Sequence, residues 1–212
     1  MQQTNAKTDF TLEIESLTYG RYGIGRIDHQ VFMVPSTVPG DKISARLTDA
    51  KENYALGEMV RLLEPSPLRQ TPPCPYVNDC GGCPWQQVQY QAQLKAKEQS
   101  VADALRRIGK LSGFELRPII ASPREYQYRR RIRLQSNKAK RIGFFRPASH
   151  DLVEIEACLI ADPALNRAIY PLRSWVNELD TTLEHVELVT GDEPNEVVAV
   201  GKGAGHFIPR DD

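Results

Sequence analysis

The sequence predicts a mainly β module followed by an α+β module. Three features carry that expectation: short alternating apolar runs between residues 9 and 64, a proline-rich stretch at residues 65–73, and helical periodicity that begins only beyond it. At 212 residues the chain has room for two modest domains. Pro65-Ser-Pro67 and Pro72-Pro73 form a stiff connector, so the division expected is residues 1–66 and 67–212.

The runs Phe10-Thr-Leu-Glu-Ile14, Val31-Phe-Met-Val34, Lys42 to Leu47 and Ala55 to Val60 alternate as half-buried strands do. Gly20, Gly23 and Gly25 are expected in the first hairpin turn, and Pro39-Gly40-Asp41 marks another. The glycines precede no helix, which argues against a phosphate cradle. Short strands at this spacing suggest a small closed barrel of the OB kind. From Gln86 to Lys110 a helix is expected, with Tyr90, Leu94, Val101, Leu105 and Ile108 on its apolar side. Tyr128 to Gln135 and Arg141 to Arg146 read as two paired strands around a polar turn, and Asp151 to Ile155 as a third. Asp162-Pro163 is an N-cap with proline at the first helical position, opening a helix that Pro171 should kink or divide. Val186, Leu188, Val197, Val198 and Val200 suggest a final hairpin around Gly191-Asp192.

Cys74, Cys80 and Cys83 are spaced C-x5-C-x2-C, and Cys158 is the fourth cysteine of the chain. The polar N-terminus MQQTNAKTDF lacks a signal-peptide pattern, and no run approaches a membrane span, so a cytoplasmic protein is expected. There thiols stay reduced, and a tight cysteine group points to metal or redox chemistry. Three thiolates in one loop plus Cys158 could hold a 4Fe-4S cluster, and the same four could bind zinc. Gly81 and Gly82 would let the backbone aim N–H groups at the sulfurs. His29, His150, His185 and His206 show no metal spacing.

Net charge is zero, but residues 1–150 carry 23 Lys and Arg against 14 Asp and Glu, whereas residues 151–212 carry 4 against 13. Residues 101–150 alone hold 13 basic against 3 acidic, a polyanion-binding signature. Strand periodicity places Arg129, Arg131 and Arg133 on one face, opposite Ile132 and Leu134. With Arg146 for phosphate and Phe144, or Phe145 beside it, to stack on an unpaired base, these are the expected RNA-binding residues, and one of the two phenylalanines is expected in the core.

Taken together, YGRYGIGR, CPYVNDCGGCPWQ, YRRRIRLQ, GFFRPASHDLVEIEAC and DPALN resemble the iron–sulfur RNA (uracil-5-)-methyltransferase family, in particular its bacterial 23S ribosomal RNA enzymes. By that resemblance the barrel would be a TRAM domain, an RNA-binding module. Cys74, Cys80, Cys83 and Cys158 would hold a 4Fe-4S cluster, and 23S ribosomal RNA would be the partner of a monomeric protein that touches no membrane. In the family a C-terminal Rossmann-like domain binds S-adenosylmethionine, a cysteine adds to uracil C6, and a carboxylate removes the C5 proton. Here every cysteine is already assigned as a ligand, and Gly201 to Gly205 has too few residues after it to build a nucleotide-binding unit. The chain is therefore expected to correspond to the front half of such an enzyme, without catalytic residues and inactive alone. The competing expectations are a free-standing, non-catalytic RNA-binding protein and a zinc- or cluster-based redox sensor.

Overall fold

The computed structural model describes residues 9–18, 20–193 and 195–203. Gly205 and His206 of the sequence-based reading lie outside them. The chain divides into two compact units, Met1–Pro73 with Pro84–Ala121, and Cys74–Cys83 with Ser122–Asp212. A single cut after residue 66 does not reproduce this. Only the cysteine segment leaves the first unit early, and the helix after it groups with the barrel.

In the first unit, among the described residues, six strands form one curled sheet: β1 (Phe10–Glu13), β2 (Ser16–Leu17), β3 (Tyr22–Ile27), β4 (Gln30–Pro35), β5 (Lys42–Ala50) and β6 (Ala55–Glu64). Their order is β1-β5-β6-β4-β3-β2. β1 and β2 are two halves of one bent strand, the first paired with β5 and the second with β3, and that closes the sheet on itself. Leu12, Ile14, Val34, Ile43 and Ala45 fill the interior, with Phe10 and Phe32 at 4.7 Å between ring centroids. Each of these Leu, Ile and Val side chains contributes about 1.5–3 kcal/mol when buried.

The glycine trio is not a hairpin turn. Gly20 lies in the bend with φ 137°, but Gly23 and Gly25 lie inside β3, facing the bent strand across the seam. A Cβ at Gly25 would meet the Glu13 carbonyl oxygen and stand 2.7 Å from Leu12 Cδ1. Closure of so small a barrel requires that approach.

Asp41, fully buried, ties the barrel to the proline stretch that follows it. Its carboxylate accepts from Val38 N (2.6 Å), Ser66 N (2.9 Å) and Arg69 Nε (3.0 Å), and Arg69 Nη2 completes the ion pair. Beyond the cysteine segment, Trp85 and the buried Val88 join Leu17 and Val38 in a second apolar cluster. The helix α1 (Tyr90–Asp103) is shorter than expected and continues as a π-helical turn, Ala104–Ile108. Leu94 and Ala102 are its buried residues, while Val101 and Ile108 face outward, so the apolar periodicity overstates what is covered.

The second unit is a five-stranded antiparallel sheet among the described residues: β7 (Arg131–Ser136), β8 (Ile142–Phe145), β9 (Leu152–Val153), β10 (Leu183–Thr190) and β11 (Val197–Gly203), in the order β11-β10-β7-β8-β9. The helix α2 (Pro163–Glu178) covers it with Leu165, Ile169, Leu172 and Val176, against Ile132, Leu134, Val186 and Leu188 of the sheet. Asp162 caps α2 by accepting from Ala164 N at 2.8 Å. The helix runs through Pro171 rather than dividing there. Pro171 is exposed, and the buried stripe on either side of it holds the turns together.

Candidate nucleic-acid interface and cysteine centre

β7 presents its arginines as the alternation requires, but they are not bare. Glu187 of β10 stands opposite Arg133 in the antiparallel register, with Val189 opposite Arg131. Its carboxylate takes Arg133 Nε (2.7 Å) and Nη2 (2.5 Å), and Arg131 Nη2 on the other oxygen. Hydrogen bonding from Arg133, then from Arg131, holds the Glu187 carboxyl below the ordinary glutamate range. The two guanidiniums stay more than half exposed while the carboxylate beneath them is nearly covered. Arg129 makes no ion pair among the described residues; its backbone bridges to Ala161.

Other basic residues of the 101–150 segment are partnered too. Arg130 reaches Thr190 Oγ1 (2.9 Å), the Gly191 carbonyl (2.5 Å) and Asp192 (3.7 Å). Lys140 donates to the Asn177 and Leu179 carbonyls at the C-terminal end of α2, where a cation suits the helix dipole. Arg141 pairs with Glu154 at 3.1 Å. The acidic tail of the sequence thus folds back on its basic middle, and the free charge is smaller than the count of residues implies.

Phe144 packs against the core, whereas Phe145 is half-buried at a concavity with His150. Of the two rings that the sequence offers, Phe145 is the one that lines the concavity and Phe144 the one that packs on the core. Period two from the buried Ile142 puts Phe144 inward, and that signal was available. Arg146 is paired with Asp79 at 2.5 Å, and beside it Gly81 N donates to the Phe145 carbonyl at 2.9 Å. A Cβ at Gly81 would come within 3.1 Å of that oxygen and 3.3 Å of Pro147 N, so a larger residue would have to push the cysteine segment and the end of β8 apart by a few tenths of an ångström. Arg146 fastens the segment to the end of β8.

All four cysteines fall in the second unit and are thiols outside any disulfide. Cys158 is gripped from both sides by Asn166 of α2, which accepts from its N–H (2.8 Å) and donates to its carbonyl (3.1 Å). Tyr76 Oη accepts from Glu156 N at 3.0 Å, fixing the first cysteine segment to the approach to Cys158. Burial pushes the Cys80 and Cys158 thiols up. The N–H of Gly82 opposes this at Cys80, as those of Ile160 and Ala161 do at Cys158, and the fields of the other cysteines push the same way as burial. Tyr126, which the sequence reading missed, is raised chiefly by burial and also feels Cys83 and Cys74. Among the described residues no three His, Cys, Asp or Glu side chains are placed to hold one metal ion together. The thiols are close enough to couple electrostatically, yet do not converge as ligands of a single ion must.

Comparison with known proteins bears on the barrel first. Residues 8–60 match the TRAM domain. The β1–β6 barrel is that domain, and its boundaries fall almost where the curled sheet begins and ends. The chain is also similar to an uncharacterized RNA methyltransferase of Synechocystis sp., 33% identical over 201 residues, covering 93% of this chain and 43% of the relative. A second RNA methyltransferase, from Thermosynechococcus vestitus, is 39% identical over 165 residues, 76% of this chain and 37% of the relative. The chain spans less than half the length of these relatives. Its fold is that of the Pyrococcus abyssi tRNA (uracil-54, C5)-methyltransferase solved with S-adenosyl-L-homocysteine, at a TM-score of 0.65 and 24% identity, covering 94% of this chain and 47% of that one. No helix among the described residues is long and apolar enough to cross a membrane.

Proposed function

We propose that this chain is the RNA-recognition portion of an S-adenosylmethionine-dependent RNA (uracil-C5) methyltransferase that acts on 23S ribosomal RNA in the cytoplasm, and that it works as a monomer. The observation that carries the reading is the TRAM match at residues 8–60 within a chain whose similarity to RNA methyltransferases extends over 93% of its length. The relatives' name supports RNA as the partner, and the S-adenosyl-L-homocysteine in the structural neighbour supports S-adenosylmethionine as methyl donor. No residue of this chain is assigned to the donor or to methyl transfer. Its own work is to bind and orient RNA, with Arg129, Arg131 and Arg133 on phosphates. The 23S assignment rests on the resemblance carried jointly by YGRYGIGR, CPYVNDCGGCPWQ, YRRRIRLQ, GFFRPASHDLVEIEAC and DPALN, and is tested by competition. Fragments of 23S ribosomal RNA should displace a labelled RNA more strongly than tRNA does, and equal or better displacement by tRNA would overturn it.

Cys74, Cys80, Cys83 and Cys158 are the proposed ligands of a 4Fe-4S cluster. One feature of the site fits: the backbone N–H groups at the Cys80 and Cys158 sulfurs. When bound, such a cluster would keep raised thiols ionised and lock residues 74–83 to residue 158. Anaerobic purification should give a brown protein with about four iron and four sulfide per chain. Cys158→Ser should lose iron even with the other three thiols intact. One tightly held zinc, or full iron retention by Cys158→Ser, would refute the assignment.

A further inference from the structure

A concavity of about 530 Å³ opens where the end of β7, the turn after it and the end of β8 meet residues 150–152. That size suits one small planar group. We propose that it is a subsite for a single unpaired RNA base, selective for an edge that carries an N–H beside a carbonyl, as uracil and guanine do. The proposal rests on the RNA-binding reading above and adds where, and by what edge, a base is held.

The aromatic wall is Phe145 against His150, ring centroids 5.1 Å apart and planes at 78°. In an edge-to-face pair one ring spends only its edge, so a face is left for a third ring to stack on. Asn137 Oδ1 accepts from Ala139 N (3.0 Å) and Arg141 N (3.1 Å), which fixes the amide. Its Nδ2 is left as a donor that has no partner among the described residues. Asp151 has its backbone engaged, its N–H with Ser149 Oγ (2.9 Å) and its carbonyl with Arg146 N (2.9 Å), but its carboxylate makes no ion pair among the described residues. Ser136 Oγ, of another lining residue, is covered and has no hydrogen-bond partner among the described residues.

Asn137 and Asp151 both line the concavity, and a donor amide with an acceptor carboxylate matches a base edge of opposite polarity. Uracil and guanine offer a ring N–H to the carboxylate and a carbonyl to the amide, whereas adenine and cytosine put a bare ring nitrogen before the carboxylate. The carboxylate also argues against a phosphate in the concavity. Arg141, held at the exposed rim by Glu154, is placed to exchange that partner for the phosphate of the bound nucleotide.

The test is fluorescence anisotropy of the full chain with short single-stranded oligonucleotides of uridine, adenosine or cytidine, equal in length, at one fixed salt concentration. Oligouridine should bind about tenfold tighter than the other two, and Asp151→Asn, an exposed change, should erase that preference. Phe145→Leu should weaken oligouridine by about fivefold or more through lost stacking, with the fold checked by its melting curve. Wild-type protein that binds all three alike, or a preference unchanged in Asp151→Asn, overturns the subsite while leaving RNA binding intact. Failure of the wild-type chain to bind any of the three overturns the RNA-binding reading, and the subsite falls with it.

Discussion

Each unit contains a carboxylate gripped by arginine, and the two grips do different work. In the barrel Asp41 is wholly buried, takes two backbone N–H groups besides Arg69, and joins a turn to the proline stretch. In the second unit Glu187 lies under two guanidiniums that remain open to water. A buried pair cannot exchange partners without leaving an uncompensated charge, so it serves the fold. A pair at the surface costs little to separate and can pass its arginines to another anion. Burial, more than the identity of the charges, decides which grip is fixed and which can be exchanged.

That contrast can be broken at either end. Asp41→Ala should have the largest effect, about 3–5 kcal/mol of lost stability, because it strands Arg69 and two backbone donors. A denaturant midpoint close to wild type would show that Asp41 is not the brace described. Gly25→Ala should come next, about 1–3 kcal/mol from overpacking at the seam of the barrel, read in the same unfolding experiment. Glu187→Gln should barely move the midpoint. Instead it should free Arg131 and Arg133 and steepen the dependence of RNA affinity on salt by up to about one unit in log–log slope, taking 0.7–0.9 per phosphate. A large loss of stability with no change of slope would make the surface grip structural after all. The sign of its pH dependence follows from the lowered carboxyl: the grip is complete above the ordinary glutamate range and opens as pH falls through the depressed value, so near-neutral pH should leave it closed.

Much of this fold is legible in the sequence, because strand alternation and the Asp162-Pro163 cap are local signals. What escaped depends on distant partners. The charge count of residues 101–150 could not reveal that Glu187 stands across the sheet from Arg133, 54 residues away. Gly23 and Gly25 look like turn residues until the seam they face is seen. Arg146 reads as a phosphate ligand, yet its nearest anion is Asp79 on the cysteine segment. Phe144 and Phe145 differ otherwise: the alternation that separates them is in the sequence, and the buried Ile142 sets its phase. The cysteine grouping is visible as spacing, whereas the Asn166 grip on Cys158 arises only once α2 is packed in place.

The most direct measurement is the salt dependence of binding to a folded fragment of 23S ribosomal RNA, for the wild-type chain beside the Arg129→Ala, Arg131→Ala, Arg133→Ala triple variant. The expected result is a linear log–log plot for the wild type and a slope shallower by about one to two units in the variant, because Arg129 makes no ion pair among the described residues while Arg131 and Arg133 share the charge of Glu187. No retention of RNA by the wild type, or the same slope for both proteins, would contradict it.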